Sequence, residues 1–513
     1  MTRTRLLLLG LSLLLAIGGG AAWLAGRNVI QNLAVSTLES RGFGPVALTV
    51  ENVGLGGATI GGLSLLNGAI QAQTIHLDVP FTELLHGRLG RLSIKGATIA
   101  SFDLPPGEDG PLVLPPVETI ELKQLAVLLP SSSGPRRVEM DGTLHLVAAQ
   151  SKVELTEGRI RSEGLPEIGV TGQGALDNGL ARFSAEVHVL NAPVRLMLSG
   201  SHDLAENKGT AHLDLEPVRF DPNGFQPSAL LPRLSEFVQA VSGTVSLRGD
   251  VAWTAAGVKP NLDVVAEEVS FTHGFLGVQR LNGVVKINGL SPVSTPPAQQ
   301  VAAAVIQAGI PLTDVVLDFS IPDGQTLNVD GGRLNLAGGK VTVGKERIPL
   351  TGAPIGLTLL VKNVGLAEVA TLTEMQGLSA SGALSGRIPI ALAAGDVHVQ
   401  NAVLASTEPG ILSYRPAGGT PSGMGVADLA WQALDDFHYT KLQARLNGRT
   451  SGKMDLSLAL AGHNPQVYGG YPLEFNLTVE GRLAEVLSQG LRSYQIPDKI
   501  QKSMENALSK KPR

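Results

Sequence analysis

The sequence predicts a mainly β protein: an N-terminal transmembrane helix, then an elongated, curled antiparallel β-groove with a few short helices. Three observations carry this. First, runs of strict apolar–polar alternation recur along the chain, the mark of strands with one oily and one wet face. The clearest are residues 454–462 and 473–480. Leu456, Leu458 and Leu460 oppose Asp455, Ser457 and Ala459, and Phe475, Leu477 and Val479 oppose Glu474, Asn476, Thr478 and Glu480. Second, 62 Gly and 31 Pro supply turns, while aromatics are 4%, so large core-fillers are scarce. Third, the series of strands is too long for one closed core, and only residues 101–116 and 290–297 read as linkers between separate sandwiches. A long meander that stays undivided can bury one face by curling into a groove. Its apolar floor then needs an apolar occupant.

In chain order, Arg3 and Arg5 precede an uncharged apolar run over 6–25. Twenty helical residues span about 30 Å, the hydrocarbon thickness of a bilayer. The two arginines favour a cytoplasmic N-terminus, and Trp23 suits the outer interface. A retained anchor is the preferred reading; cleavage after Ala22, with Gly20 behind it, is the alternative. Residues 28–40 predict a short helix with Ile30, Leu33, Ala34 and Thr37 on one side. Strands are expected at 46–50, 69–73, 74–79 and 91–99, with turns over the Gly-rich 54–61 and a helical turn at 81–87. Residues 101–116 form a loop. Further strands are expected at 143–147, 152–155, 181–189, 212–215, 244–248, 325–329, 333–336, 340–343 and 355–359. Helices are expected at 230–241, 298–307 and 426–436, and an amphipathic tail at 483–507.

Several chemistries are excluded or disfavoured. Net charge is −5 without an extended basic patch, which argues against nucleic acid. Cysteine is absent, so disulfides and thiolate metal sites are excluded. The ten histidines show no metal-ligand spacing, and His145 and His188 fall on the polar phase of strands. The Gly-rich segment over 54–61 is followed by strand rather than helix, so it is not a phosphate cradle. Asp435, Asp436, His438 and Tyr439 gather acid, imidazole and phenol. Sequence neighbours at a helix end fan apart, so the plainer reading is a helix end that packs Phe437 and Tyr439 into the sheet. No catalytic residue, cofactor or metal is assigned, and the chain is not expected to be an enzyme.

Four runs near the C-terminal end carry a resemblance. They are Ser381-Gly-Ala-Leu-Ser-Gly-Arg-Ile-Pro389, Pro409-Gly-Ile-Leu-Ser-Tyr-Arg-Pro416, Leu434-Asp-Asp-Phe-His-Tyr439 with Leu442, and Leu460-Ala-Gly-His-Asn-Pro465. With Phe81-Thr-Glu-Leu-Leu-His-Gly-Arg-Leu89 and Leu114-Pro-Pro-Val-Glu-Thr-Ile-Glu-Leu122, they make the chain similar to the YdbH-like family, whose C-terminal domain is labelled "dicarboxylate transport". The chain resembles more distantly the AsmA-like and TamB-like intermembrane lipid transport proteins. The resemblance implies an inner-membrane-anchored periplasmic β-groove that moves phospholipid between membranes, with a small outer-membrane lipoprotein as partner at its C-terminal end. A single span cannot form a conventional carrier pore for a dicarboxylate, and no Arg or Lys cluster for two carboxylates stands out.

The expected divisions are a cytoplasmic stub and anchor (1–27), a helix and first groove segment (28–100), middle groove segments (101–378), a C-terminal β domain (379–482) and a helical tail (483–513). The bulk of the chain is expected in the periplasm of a bacterium. Leu334, Leu336, Leu456, Leu458, Leu460, Phe475, Leu477 and Val479 are expected to line the lipid groove. The alternative function is an envelope assembly protein that docks a partner through a β-edge without moving lipid.

Overall fold

The computed structural model describes residues 27–481 apart from 55, 80–88, 101–116, 130–135, 148–150, 178, 275, 309, 351–354, 373–376, 394–395, 416–431, 450–453 and 468. The anchor over 6–25, the loop over 101–116 and the tail over 483–507 therefore lie outside the described residues, as does the helical turn at 81–87. No helix among the described residues is long and apolar enough to cross a membrane. Residues 1–235 with 246–263 cluster as one unit, and 236–245 with 264–513 as a second.

The first unit opens with helix α1 (Arg27–Leu38). Its strands are β1 (Val46–Gly54), β2 (Gly57–Leu65), β3 (Ile70–Asp78), β4 (Leu89–Ala100), β5 (Val117–Leu129) and β6 (Arg136–Val147). They continue as β7 (Lys152–Ser162), β8 (Ile168–Asp177), β9 (Leu180–Val189), β10 (Arg195–Asp203) and β11 (Lys208–Phe220). Each strand pairs with the next, and nine of these ten pairings are antiparallel. The exception corrects the all-antiparallel expectation: β4 and β5 run parallel. The connection over 101–116 is long enough for the crossover that a parallel pair requires and a tight hairpin cannot supply.

α1 seats Ala34 and Leu38 in a core with Phe43, Leu48, Val50, Leu65 and Leu77, while Leu33 stays 46% exposed. The buried stripe is thus rotated from the expected one. Gln31 accepts the Val50 N–H, which fixes how the helix lies on β1. The segments 69–73 and 74–79 join into the single strand β3. Much of the expected turn over 54–61 belongs to β1 and β2.

β12 (Gln239–Thr254) and β13 (Gly257–His273) are divided between the two units. In the second unit follow β14 (Leu276–Ile287), the two-residue strands β15 (Gly289–Leu290) and β16 (Val293–Ser294), β17 (Gln299–Gln307), β18 (Pro311–Ser320) and β19 (Thr326–Leu336). Next come β20 (Gly339–Val343), β21 (Glu346–Pro349), β22 (Ile355–Gly365), helix α2 (Leu366–Leu372), β23 (Leu378–Ala380) and β24 (Ala383–Ala393). β25 (Asp396–Ser406), β26 (Gly410–Tyr414), β27 (Phe437–Arg449), β28 (Met454–His463) and β29 (Leu473–Gly481) complete it. One antiparallel path runs β14–β17–β18–β19–β20–β22–β24–β25–β27–β28–β29.

Two helix expectations fail here. Residues 298–307 are strand β17: the Val-Ala-Ala-Ala-Val-Ile run favours helix by composition, but pairing with β14 and β18 on both sides overrides that weak preference. Residues 230–241 hold only the 3-10 turn Pro232–Glu236 before β12 begins at Gln239. The supposed linker over 290–297 contains the β15–β16 hairpin instead. Of the helix expected at 426–436, residues 432–434 are helical among those described.

Bulges bend the strands. Gln124, Glu268, Arg280, Asn363 and Asn401 adopt positive φ within strands. Each has its N–H captured by a side chain of a neighbouring strand: Asp141, Asn282, Ser270, Ser385 and Asn447 respectively. A bulge adds a residue to one strand, which bends it and increases local twist. A polar side chain that takes the freed N–H satisfies the donor that the bulge removes from the ladder.

Candidate functional site

The cross-strand registers sort the side chains of β6–β11 into rows. Leu146, Val153, Gly174, Phe183, Gly200 and Ala211 form one row, and Leu144, Leu155, Gly172, Ala185, Leu198 and Leu213 the next on the same face. A third holds Gly158, Val170, Val187, Leu196 and Leu215. The intervening row, on the opposite face, is His145, Glu154, Gln173, Ser184, Ser199 and His212. One face is therefore apolar across six strands, and His145 sits on the polar face as expected.

That apolar face is uncovered. Among the described residues, no hydrophobic side chain between Leu146 and Ala211 is fully buried, and Leu155, Val170, Val187, Leu196, Leu198 and Leu213 are all half-buried. Fully burying such a side chain contributes about 1.5–3 kcal/mol, so each leaves roughly a few tenths to 1 kcal/mol ungained. From Phe183 to Val189 on β9 the face is roughly 20 Å long at about 3.4 Å per residue, somewhat more than one bilayer leaflet of about 15 Å of hydrocarbon.

In the second unit the register unites residues far apart in sequence. Leu334, Val341, Val361, Gly386, Leu404, Ala444, Leu458 and Leu477 lie in one row across eight strands. Leu446, Leu456 and Val479 form a flanking row, and Leu442, Leu460 and Phe475 another. Seven of the eight expected lining positions thus fall in three adjacent rows. Leu336 follows Leu334 by two on β19 and packs with it beside Val341 and Val361.

Their environments differ. Leu460 is 3% exposed in a closed cluster with Leu434, Phe437, Tyr439 and Leu442, so it belongs to a covered core. Leu334, Leu336, Leu456, Leu458 and Leu477 are half-buried at the margins of such clusters. Phe437 and Tyr439, on the neighbouring strand β27, are fully buried in that cluster, as the plainer reading required. The Tyr439 hydroxyl donates to the Ser381 carbonyl at 2.7 Å, and burial pushes its pKa up. Asn464, 2% exposed, donates to the Gln432 and Ala433 carbonyls and ties the helical turn at 432–434 to the end of β28.

Polar chemistry elsewhere is structural. Asp435 pairs with Arg415, while Asp436 reaches His438 at 3.3 Å. Asp141 accepts the Gln124 N–H and pairs with Arg161, and those two contacts hold its carboxyl below the usual range. No group of metal-ligating side chains is found among the described residues.

Sequence reasoning named strands at 143–147, 181–189 and 212–215 but missed their uncovered face. The interleaved glycines and alanines dilute the apolar signal of each strand, and only the register sums it across six. The family model described as "YdbH-like: Intermembrane phospholipid transport protein YdbH" matches residues 118–505. No curated protein and no solved structure matches the chain.

Proposed function

The chain belongs to the YdbH-like family of intermembrane phospholipid transport proteins, and from that premise we propose that it conducts phospholipid along its uncovered apolar sheet faces. The observation that carries this is the set of half-buried rows on β6–β11. Acyl chains laid along the strands would cover them, and about ten methylenes so buried would contribute on the order of 8 kcal/mol. Head groups would remain at the strand ends, near water. The bulges at Gln124, Asn363 and Asn401 support a curled sheet, and with it the groove. On this reading Leu334, Leu336, Leu456, Leu458 and Leu477 line the path, with Phe475 and Val479 at matching register positions and Leu460 beneath its closed end.

The rest of the reading is an anchor over 6–25 in the bacterial inner membrane, the bulk of the chain in the periplasm, and a small outer-membrane lipoprotein as partner. β29 pairs with β28 on one side among the described residues, and an open strand edge is a template for strand addition by such a partner. Conduction of this kind involves no catalytic step.

A photo-cross-linking residue placed at Leu198 or Leu458 in cells should capture phospholipid. The same residue at Ser199 or Ala459, exposed on the opposite face, should capture little. At Asn476 it should report the lipoprotein. Equal lipid capture on both faces, or none at Leu198 and Leu458 in the folded protein, would refute the groove.

A further inference from the structure

At one end of the apolar face of the first unit three rings lie together. The Trp253 and His202 rings are inclined by 19° with centroids 6.0 Å apart, and the indole Nε1–H donates to His202 Nδ1 at 3.0 Å. A hydrogen bond between ring edges at that inclination means side-by-side rings in one plate. Phe183 extends the plate at 6.5 Å from Trp253, tilted by 33°. Glycine makes this possible. A Cβ on Gly200 would meet the Phe183 ring at 2.8 Å, and one on Gly209 would collide with the Trp253 ring. The Trp253 ring and the tip of Phe183 therefore lie over glycine backbone, and all three rings are half-buried.

The plate stands at the rim. Phe183 is three residues from the start of β9, and His202 lies one residue before the end of β10. Inward from it the rows become aliphatic, with Leu198 and Leu213 and then Leu196 and Leu215. The turn beside it, residues 203–208, sets the carboxylates of Asp203 and Glu206 against the single ammonium of Lys208, which Glu206 pairs. Backbone N–H groups of Glu206 and Ala205 hold the Asp203 carboxyl below its usual range. Because the indole can only donate, Nδ1 of His202 accepts in this contact. The rim therefore offers π faces beside a turn with two carboxylates and one ammonium, next to the Arg182–Asp177 ion pair.

We propose that the Trp253–His202–Phe183 plate binds the ammonium head group of a zwitterionic phospholipid whose acyl chains enter the apolar rows below. A cation over an indole face is attracted by the ring quadrupole, most strongly where water is excluded. The proposal rests on the lipid-conduit reading and adds head-group selection to it. The rows beneath accept any acyl chain, while the plate discriminates at the rim.

The test uses the full chain in detergent, offered phosphatidylethanolamine and phosphatidylglycerol with identical acyl chains, with retained lipid counted by mass spectrometry. Wild type should be enriched in the ethanolamine lipid by about 2- to 30-fold, the span of an exposed to a desolvated cation–π contact. Site-specific replacement of Trp253 by indoles of increasing fluorination keeps shape and fold while draining the π face, so the enrichment should fall stepwise towards one. Trp253→Leu should lose the enrichment while retaining lipid. Enrichment insensitive to fluorination, or absent in lipid-bearing wild type, overturns the head-group site and leaves the conduit standing. A fall in total lipid at constant ratio in Trp253→Leu also overturns it, by making the plate a plain wall. Wild type that retains neither lipid overturns the conduit reading itself.

Discussion

Leu458 and Leu460 lie two residues apart on one face of β28, and replacing each by Asp separates an open face from a closed core. Leu460 is 3% exposed and packed with Leu442 and Tyr439. Its replacement forfeits a full leucine burial, about 1.5–3 kcal/mol, and confines a carboxylate without water, for a total of several kcal/mol. That is a large part of the 5–15 kcal/mol or so by which domains are stable. Leu458 is half-buried beside Ala444 and Leu477. Part of that side chain is already exposed, and the carboxylate can turn to water, so a loss of roughly 1–2.5 kcal/mol is expected. Urea unfolding of the purified full chain, followed by circular dichroism, measures both. Leu460→Asp should lower the midpoint far more than Leu458→Asp, or abolish folding. Equal losses would show that Leu458 is sealed like Leu460 and would refute an open face at that position.

Acid stability offers a second check. The folded pKa of Asp141 is depressed by the Gln124 N–H and by Arg161. Its contribution is thus complete above the unfolded value near 3.9 and is lost as pH falls through the folded value. Asp141→Asn should be less stable than wild type at pH 7, with the gap narrowing below about pH 4; urea melts at the two pH values decide this, and a pH-independent gap would contradict it. Protease added to spheroplasts should digest the chain beyond Arg27, whereas full protection of a protease-sensitive protein would reject the periplasmic placement.

Alternation with period two is a local property, and where it is strict it specified the strand without help: the runs containing Leu456–Leu460 and Leu473–Val479 became β28 and β29 because side chains in a strand must alternate faces. The abundance of glycine and the shortage of aromatic residues also indicated many strands in place of a few large cores, but the expectation of short ones fails: β12 and β13 run to 16 and 17 residues. Pairing was not legible, because it is set by partners distant in the chain. The Ala-rich run of β17 reads as helix until β14 and β18 flank it, and nothing in β4 or β5 alone announces that they run parallel. The same limit applies to the site. Leu334 and Leu458 each carry an apolar phase, but only the tertiary structure places them in one row, through Val341, Val361, Gly386, Leu404 and Ala444. Whether a face is covered depends on what folds over it. Leu460 is sealed in a cluster with Leu434, Phe437 and Tyr439, while the rows of β7–β10 remain partly in reach of water. A strand's own residues decide which of its faces is oily, and elements elsewhere in the chain decide whether that face becomes core or binding surface.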